Sequence, residues 1–317
     1  MHRLLTIFIL ASCIGCNEYQ FRVLENELPG ELADEEEEQE APYDADEEDD
    51  EHDDFDPLEE EEQVNEDEEP PAEEDVPPPE DDCEDTSDLV YVIDRDTSNL
   101  YLFDPENGEF DLLGTLDCGL WAGSPASMSV SRSGTAYVRY ADDTVYAVHL
   151  ESIECEETAY GSNFGHFGMG FATDHAETWQ DDLYVANANQ LAKLDTETWS
   201  LNTIGGLPSQ SELTGNAEGE LWAILPLENP AKLVRLNKSN AQVIETRTMP
   251  SFPNPFEIDT FAFATWGGDF WIFVRTYGLG ETTDVYRVSS TGALSLVAQN
   301  TGLTIVGAGV STCAPTE

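Results

Sequence analysis

Residues 269–274 read DFWIFV, a short run of strand-forming residues with a tryptophan at its centre. The same kind of run occurs four times earlier in the chain, as DLVYVID from Asp88, TAYVRY from Thr135, DLYVAN from Asp182 and ELWAIL from Glu220. The central aromatic residues are 46, 47, 38 and 49 residues apart, and they are Tyr91, Tyr137, Tyr184, Trp222 and Trp271. Recurrence at a period in the forties predicts a repeat architecture.

Three further strands are predicted around each aromatic run. A second strand with a polar turn follows each run, as NLYLFDPENG, TVYAVHLES, QLAKLDTET, KLVRLNKSN and DVYRVSSTG. A third follows each turn, as EFDLLGTL, IECEETAY, SLNTIGGL, AQVIETRTM and ALSLVAQN. A fourth, built of small and apolar residues, precedes four of the runs, as ASMSVS, GMGFAT, ELTGNA and TFAFAT. The first unit lacks it, and TIVGAGVS near the C-terminus supplies it.

Four short antiparallel strands per unit and a displaced last strand predict an all-β, five-bladed β-propeller over residues 84–317. The C-terminal strand would complete blade one and remove the free edges of an open sheet. A β-sandwich would not need the fivefold recurrence. The recurring Tyr and Trp residues are expected to pack between blades. Gly307, Ala308 and Gly309 suit a crowded strand beside the axis.

The repeat layout resembles bacterial extracellular propellers of the YVTN and NHL kind, which share a strand, Asp and turn pattern. The resemblance covers the C-terminal 230 or so residues and concerns the layout alone, because no diagnostic YVTN signature occurs.

The negative charge is concentrated before the propeller. The chain has 67 acidic and 12 basic residues, and residues 31–88 hold 34 of the acidic ones and no Lys or Arg. Such a segment cannot bury enough apolar surface to fold, so residues 13–83 are predicted to be a disordered, self-repelling tether. Loose calcium binding or attraction of a cationic partner is the alternative. Nucleic acid is excluded as a partner because phosphate binding needs clustered Lys and Arg.

The N-terminus begins MHRLLTIFILASCIGC, with a basic Arg3 and an apolar run over residues 4–11. The run is too short to span a bilayer, but it suits a secretory signal peptide over residues 1–12. Leu10-Ala11-Ser12-Cys13 resembles the lipobox of bacterial lipoproteins, in which the cysteine becomes lipidated and N-terminal. The resemblance predicts export and a lipid anchor on Cys13. An ordinary secretory signal with a chance cysteine is the alternative.

Two details refine the anchor. Cys16 is a second candidate for lipidation, but Cys13 occupies the position where its lipobox would need an aliphatic residue. Ile14 follows Cys13 where an Asp would retain the protein on the inner membrane of Gram-negative relatives. The resemblance therefore implies the outer membrane, and it leaves open whether the protein faces the periplasm or the cell surface.

Four more cysteines lie in or beside the propeller. An even number in an oxidising compartment favours disulfides over metal binding or catalysis. Cys313 follows the closing strand and Cys83 precedes the strand that pairs with it, so these two are predicted to be bridged. Cys118 and Cys155 then pair by elimination, although they are expected at opposite ends of successive outer strands.

Long aromatic loops share one face of the predicted ring. Outer strands lead to the next inner strand through the loops CGLWAGSPA, AYGSNFGHFGM and MPSFPNPFEID. The loop RTYGLGETT, which connects two strands within one unit, lies on the same face. Such loops on a rigid scaffold are a reasonable recognition surface. The alternative is that several of them plug the mouth of the channel. The candidate binding residues are Trp121, Tyr160, Phe164, His166, Phe252, Phe256 and Tyr277.

The sequence offers little support for catalysis. Glycoside hydrolysis needs two carboxylates about 5–10 Å apart, and only Asp174, Glu257 and Asp259 approach the inner strands. His166, Asp174 and His175 have no recognised metal-binding spacing. We therefore expect no enzyme activity, no metal and no cofactor.

The function indicated by the sequence is a monomeric binding or scaffold module for an envelope protein. A module for a glycan or small ligand, a glycosidase that uses Asp174 or Asp259, and a purely structural surface protein are the alternatives.

Overall fold

The computed structural model describes residues 89–119, 123–161, 164–175, 180–278 and 280–317. All of them belong to the compact unit Glu73–Glu317. The predicted signal peptide, Cys13 and the tether 13–83 lie outside the described residues. In the described part of the chain no helix is long and apolar enough to cross a membrane.

In the described part of the chain, twenty strands, numbered in sequence order, form five four-stranded antiparallel sheets. The innermost strands are β4 (Pro125–Val130), β8 (Gly168–Thr173), β12 (Glu212–Gly215), β16 (Ile258–Trp266) and β20 (Ile305–Gly309). The second strands are β1 (Val90–Asp94), β5 (Thr135–Tyr140), β9 (Asp181–Ala186), β13 (Leu221–Leu225) and β17 (Asp269–Thr276). The third are β2 (Asn99–Asp104), β6 (Val145–His149), β10 (Gln190–Leu194), β14 (Ala231–Leu236) and β18 (Asp284–Val288). The outer strands are β3 (Glu109–Thr115), β7 (Glu154–Glu157), β11 (Leu201–Gly206), β15 (Val243–Met249) and β19 (Leu294–Ala298).

The ring closes as predicted. Blade one has the strand order β20-β1-β2-β3, while the other four blades are each continuous in sequence. β20 pairs antiparallel with β1 and places Gly309 opposite Tyr91 and Ala308 opposite Val92. The five-bladed β-propeller and its C-terminal closing strand are thereby confirmed.

The recurring aromatic residues fill the spaces between blades, as predicted. Trp222 of blade four lies 4.8 Å from Phe270 of blade five, measured between ring centroids. Trp271 of blade five lies 5.4 Å from Phe103 of blade one. Edge-on and tilted aromatic pairs of this kind add about 0.5–1.5 kcal/mol to the burial of the rings.

Glycines allow the inner strands to approach one another closely at the axis. A Cβ on Gly170 of β8 would lie 2.7 Å from the backbone carbon of Leu213 in β12. A Cβ on Gly307 of β20 would lie 2.7 Å from the backbone nitrogen of Met128 in β4. The small residues that the sequence places on these strands are therefore required by backbone-to-backbone contact.

Side chains at the ends of the third strands fix the polar turns. The Oδ1 atom of Asp104 accepts the Glu106 N–H at 2.8 Å, and Asp195 Oδ1 accepts the Thr198 N–H at 2.7 Å. Asn237 Oδ1 accepts the Ser239 N–H at 2.9 Å in the same place. These Asx turns explain why the repeat carries Asp or Asn before each of these three turns.

The disulfide between Cys118 and Cys155 is confirmed, with the two Cα atoms 5.1 Å apart. Cys118 follows the end of β3 and Cys155 lies at the start of β7, so the two cysteines do occupy opposite ends of successive outer strands, and blade twist brings these ends together. Twist accumulates over four strands and turns the end of β3 toward blade two. A Cβ on Gly114 would lie 3.0 Å from Ile153 in the turn before β7, which shows this approach. Cys313 is disulfide-bonded, and its predicted partner Cys83 lies outside the described residues.

Candidate functional site

A cavity of about 250 Å³ opens on the ring axis at the face where the inner strands begin, which we call the upper face. The starts of four inner strands line it, together with the end of β5 and the residue after β1. Its polar lining includes Arg95, Arg139, Gln210, Glu212, Asp259 and Thr260. We call this space the axial cavity.

Glu212 begins β12 and is 6% exposed. Ser127 Oγ donates a hydrogen bond to Glu212 Oε2 at 2.9 Å, although Ser127 belongs to β4 of blade two and Glu212 to blade four. The ring is thus narrow enough for inner strands of non-adjacent blades to touch. Gly168 on β8 leaves space for the carboxyl group, because a Cβ there would lie 2.7 Å from Glu212 Cδ.

Burial makes Glu212 a weak acid. Desolvation raises the pKa of its carboxyl group to about 8, while the hydrogen bond from Ser127 and the positive charge of Arg139 oppose the rise. At neutral pH the group is therefore mostly protonated and uncharged. A neutral carboxyl group can donate a hydrogen bond, which an ionised carboxylate cannot.

Arg139 on β5 is 5% exposed and is held by several groups. Its Nε donates to the carbonyl oxygen of Phe167 at 2.9 Å, and its Nη1 donates to the carbonyl oxygen of Tyr140 at 3.2 Å. Nη1 also lies 3.3 Å from Asp143 Oδ1 and 3.0 Å from His166 Nδ1. Within the described parts of the chain, Nη2 donates to no protein atom.

A second charged group lies on the other side of the axial cavity. Arg95 Nη2 lies 3.6 Å from Asp259 Oδ2, and Arg275 Nη1 donates to the same carboxylate oxygen. Arg275 is held in turn by its Nε, which donates to the Glu281 carbonyl at 2.9 Å. Asp259 is therefore an acceptor shared by two guanidinium groups.

The opposite, lower face of the ring has a closed polar cluster. Arg132 Nη2 donates to Asp181 Oδ1 at 3.1 Å and to Thr312 Oγ1 at 3.0 Å. Thr173 Oγ1 donates to Asp181 Oδ1 at 2.9 Å. These contacts connect blades one, two and three, so the cluster is explained by the joining of blades.

Three of the candidate aromatic residues are buried. Tyr160 and Phe164 pack around Phe167 beside blade three, with ring centroids 5.6 and 5.9 Å from it. Phe252 packs against Tyr286, with centroids 5.4 Å apart. Each of the three candidates is at most 9% exposed, so these side chains belong to the core.

Two candidate aromatic residues stand out from the upper face, with Phe256 89% and Tyr277 67% exposed. Asn254 caps a short 3₁₀ helix, Pro255–Glu257, by accepting the Phe256 N–H at 3.1 Å. The Tyr277 N–H donates to the carbonyl oxygen of Glu257 at 2.8 Å. The loops that carry the two residues are thus joined by a backbone hydrogen bond, and we call the pair the aromatic rim.

The last two candidate binding residues, His166 and Trp121, belong neither to the buried group nor to the aromatic rim. The His166 side chain is 67% exposed, and its Nδ1 lies 3.1 Å from Asp143 Oδ1. Trp121 lies outside the described residues.

The residues considered for catalysis and metal binding do not form one site. Asp174 follows the end of β8 on the lower face, whereas Asp259 lies near the start of β16 on the upper face. Within the described residues, no group of three or more His, Cys, Asp or Glu side chains could hold a metal ion.

Sequence reasoning missed the two buried charged or ionisable members of the axial cavity, Glu212 and Arg139. Glu212 is the first residue of the inner strand ELTG, and a search for carboxylates near strand centres passes over it. Arg139 is the only charged residue in the strand TAYVRY. An isolated charged residue in an otherwise uncharged strand is a sequence signal that could have identified Arg139.

Comparison with known proteins adds little beyond the fold. No family model and no curated protein matches the chain significantly. A structural-genomics protein of unknown function from Bacteroides thetaiotaomicron is 16% identical, with a TM-score of 0.41 over 67% of this chain and 55% of that one. The extracellular domain of a one-component system from the same organism is 12% identical, with a TM-score of 0.38 over 68% of this chain and 28% of that one.

A structure of the mitotic checkpoint complex is 12% identical, with a TM-score of 0.40 over 72% of this chain and 82% of that one. The chain spans about half the length of the first of these proteins and less than a third of the second. Likenesses this weak carry no argument about function, so the architecture rests on the strand pairing within this chain.

Proposed function

We propose that the propeller is a binding module that docks an envelope protein through the aromatic rim of its upper face. The exposure of Phe256 and Tyr277 supports this function above all. Large aromatic side chains that face solvent from a rigid scaffold are typical anchors of protein interfaces. Here the backbone hydrogen bond from Tyr277 to Glu257 joins the two loops before binding, which lowers the backbone entropy lost on association.

We further propose that the protein is exported and anchored in the outer membrane through lipid on Cys13. Residues 13–83 would then act as a spacer between the membrane and a monomeric propeller. About 70 residues span at most about 230–250 Å when fully extended, and like charges favour extended chains. The lipobox pattern and the acidic composition support this arrangement.

Binding without catalysis is the activity that we propose for the upper face. Asp259, the carboxylate considered for hydrolysis, is already shared between two guanidinium groups. Because these ion pairs occupy the carboxylate, we propose that Asp259 holds the two guanidinium groups in place and does not act as a nucleophile or base.

Crosslinking on intact cells, followed by affinity recovery of the propeller, tests the docking function. The wild type is compared with a Phe256→Ala/Tyr277→Ala variant. Leu112→Ala/Ile244→Ala is the matched control, since both residues are more than half exposed but lie on outer strands. If the rim residues are anchors worth at least about 2 kcal/mol, affinity falls about thirtyfold or more in the rim variant.

The proposal predicts one reproducible envelope protein that is recovered with the wild type and the control but lost with the rim variant. Equal recovery with the rim variant would show that docking uses another surface. Recovery of no protein by the folded wild type would contradict protein docking, and glycan binding would become the leading function. The same cell fractions test the anchor, because Cys13→Ala protein should leave the membranes and carry no lipid.

Glycan binding is the second candidate, and one observation favours it. An exposed aromatic pair beside a polar cavity can stack on a sugar ring while the cavity groups bind its hydroxyls. A glycan array probed with the wild type and the rim variant separates this function from protein docking.

A further inference from the structure

We propose that the axial cavity binds a small carboxylate between the guanidinium group of Arg139 and the carboxyl group of Glu212. Both side chains are more than nine-tenths buried and both line the cavity. This site is distinct from the aromatic rim, and the docking function does not depend on it.

The hydrogen bonds of Arg139 leave one donor unused. Nε and Nη1 are bound to backbone carbonyls, so the guanidinium plane cannot rotate freely. Nη2 donates to no acceptor in the described residues, and Arg139 lines the cavity, so this donor is open to a group bound there. A carboxylate oxygen is the acceptor that guanidinium groups bind best.

Glu212 offers the second donor. Arg139 and Glu212 line the same cavity, and they do not form an ion pair within 4.0 Å. A group bound in the cavity can therefore lie beside both side chains. With Glu212 protonated, a bound carboxylate can accept one hydrogen bond from Nη2 and one from the neutral carboxyl group.

The surrounding charges are compatible with one bound negative charge. Among the lining residues Arg95 and Arg139 are positive, and only Asp259 is negative while Glu212 is neutral. Two charged residues contact the lining residues from behind: Arg275 pairs with Asp259, and Asp143 lies beside Arg139. Their single positive and single negative charges cancel. Asp96, which pairs with Arg95, is 63% exposed and therefore well screened by solvent. The remaining ionisable groups near the site are His166 and Tyr160, which interact with Arg139.

The volume limits the size of the ligand. About 250 Å³ is below the 300–1,000 Å³ range of pockets for drug-sized molecules. The expected ligand is therefore a molecule of the size of an amino acid or a monosaccharide acid.

Ligand titrations of the full chain test the site. D-glucuronate and acetate are the probes, and D-glucose is the neutral match of glucuronate. Binding is followed through the Nε–H resonance of Arg139 in ¹⁵N-arginine-labelled protein and by calorimetry at constant ionic strength. We expect both carboxylates to shift that resonance at pH 7, while glucose does not.

The pH dependence identifies Glu212 as the second donor. With a pKa of about 8, Glu212 is mostly protonated at pH 7 and mostly ionised at pH 9, where it repels a carboxylate. The apparent affinity for glucuronate should then fall about tenfold from pH 7 to pH 9.

Two variants localise the effect. Glu212→Gln keeps a neutral donor that cannot ionise, so it should bind glucuronate at pH 7 and lose less than twofold of that affinity at pH 9. Arg139→Lys removes Nη2 and should weaken binding at least tenfold. If Arg139→Lys does not fold, the change in glucuronate affinity from pH 7 to pH 9 in Glu212→Gln, compared with the wild type, still tests the proposed site.

Three results would overturn the proposal. The first is the absence of any shift of the Arg139 resonance with either carboxylate at pH 7. The second is equal binding of glucose and glucuronate. The third is the same loss of affinity at pH 9 in the wild type and in Glu212→Gln. Phe256→Ala/Tyr277→Ala should leave acetate binding unchanged, because acetate has no ring to stack on the rim, so failure of this site and failure of the docking function are distinguishable.

Discussion

At the scale of single residues, Glu212 is an acid whose pKa the fold raises strongly. Its first position in β12 places a carboxyl group at the axis, beside Ser127 of β4 and Gly168 of β8. Burial in that position is what raises its pKa to about 8. The side chain is therefore a proton-binding group whose charge depends on the fold.

The pH dependence of stability should reveal this group. Folded Glu212 keeps its proton up to about pH 8, whereas the unfolded chain loses it near pH 4.5. Its contribution to stability is therefore greatest below pH 4.5, falls as the pH rises to about 8, and is constant above that. The slope in this window is at most about 1.4 kcal/mol per pH unit.

Chemical denaturation at pH 5.5, 7 and 8.5 measures the effect. The wild type should lose stability relative to Glu212→Gln as the pH increases over this series. Glu218→Gln, an exposed position in the loop after β12, is the control and should run parallel to the wild type. A constant difference between the wild type and Glu212→Gln would contradict the raised pKa.

At the scale of elements, close packing at the axis requires glycine at particular positions of the inner strands. β8 and β12 approach so closely that Gly170 contacts the backbone of Leu213. In β8, β12 and β20, each glycine stands where a Cβ would lie less than 3.0 Å from the backbone of a neighbouring blade. Outer strands face solvent on one side, and they hold exposed residues such as Leu112 and Ile244.

Gly170→Ala tests this requirement. Its Cβ would lie 2.7 Å from the Leu213 carbonyl carbon and 2.8 Å from its oxygen, and neither backbone atom can move without shifting a blade. The substitution should lower the free energy of unfolding by about 1–3 kcal/mol, measured by urea denaturation.

Gly206→Ala, on the outer strand β11, is the matched control. Its Cβ would meet the Asn189 carbonyl oxygen at an ordinary 3.7 Å. Its effect should stay within about 0.5 kcal/mol. Comparable losses in the two variants would mean that axial crowding is not what requires glycine.

At the scale of the whole molecule, closure by β20 joins the last residues of the domain to its first strand. β20 pairs with β1, and Ile305 and Ala308 pack in the core cluster that also holds Trp271. The closing strand thus completes blade one and the packing between blades one and five.

A chain that ends at Asn300 should therefore lose cooperative unfolding. Removal of β20 exposes the edge of β1 and the core beside Trp271, so near-ultraviolet circular dichroism should weaken and the calorimetric transition should broaden or vanish. Removal of Thr316 and Glu317 alone is the control and should preserve a single sharp transition. A sharp transition in the chain that ends at Asn300 would show that the closing strand is dispensable.

The sequence by itself determined the number of blades, the order of their strands, the closing strand and the position of the aromatic residues between blades. These features follow from local pattern, because each unit of about 45 residues repeats the same strand and turn signals. The pairing of Cys118 with Cys155 followed by elimination, whereas the twist that brings them together is a property of the folded sheet.

Only the tertiary structure decided which side chains meet on the axis and which aromatic residues reach solvent. Ser127 and Glu212 are 85 residues apart in the chain, and no local pattern connects them. Phe252 and Phe256 lie in the same loop, yet one is in the core and the other is 89% exposed. Ring closure and blade twist set these positions, because they act between strands that are distant in sequence.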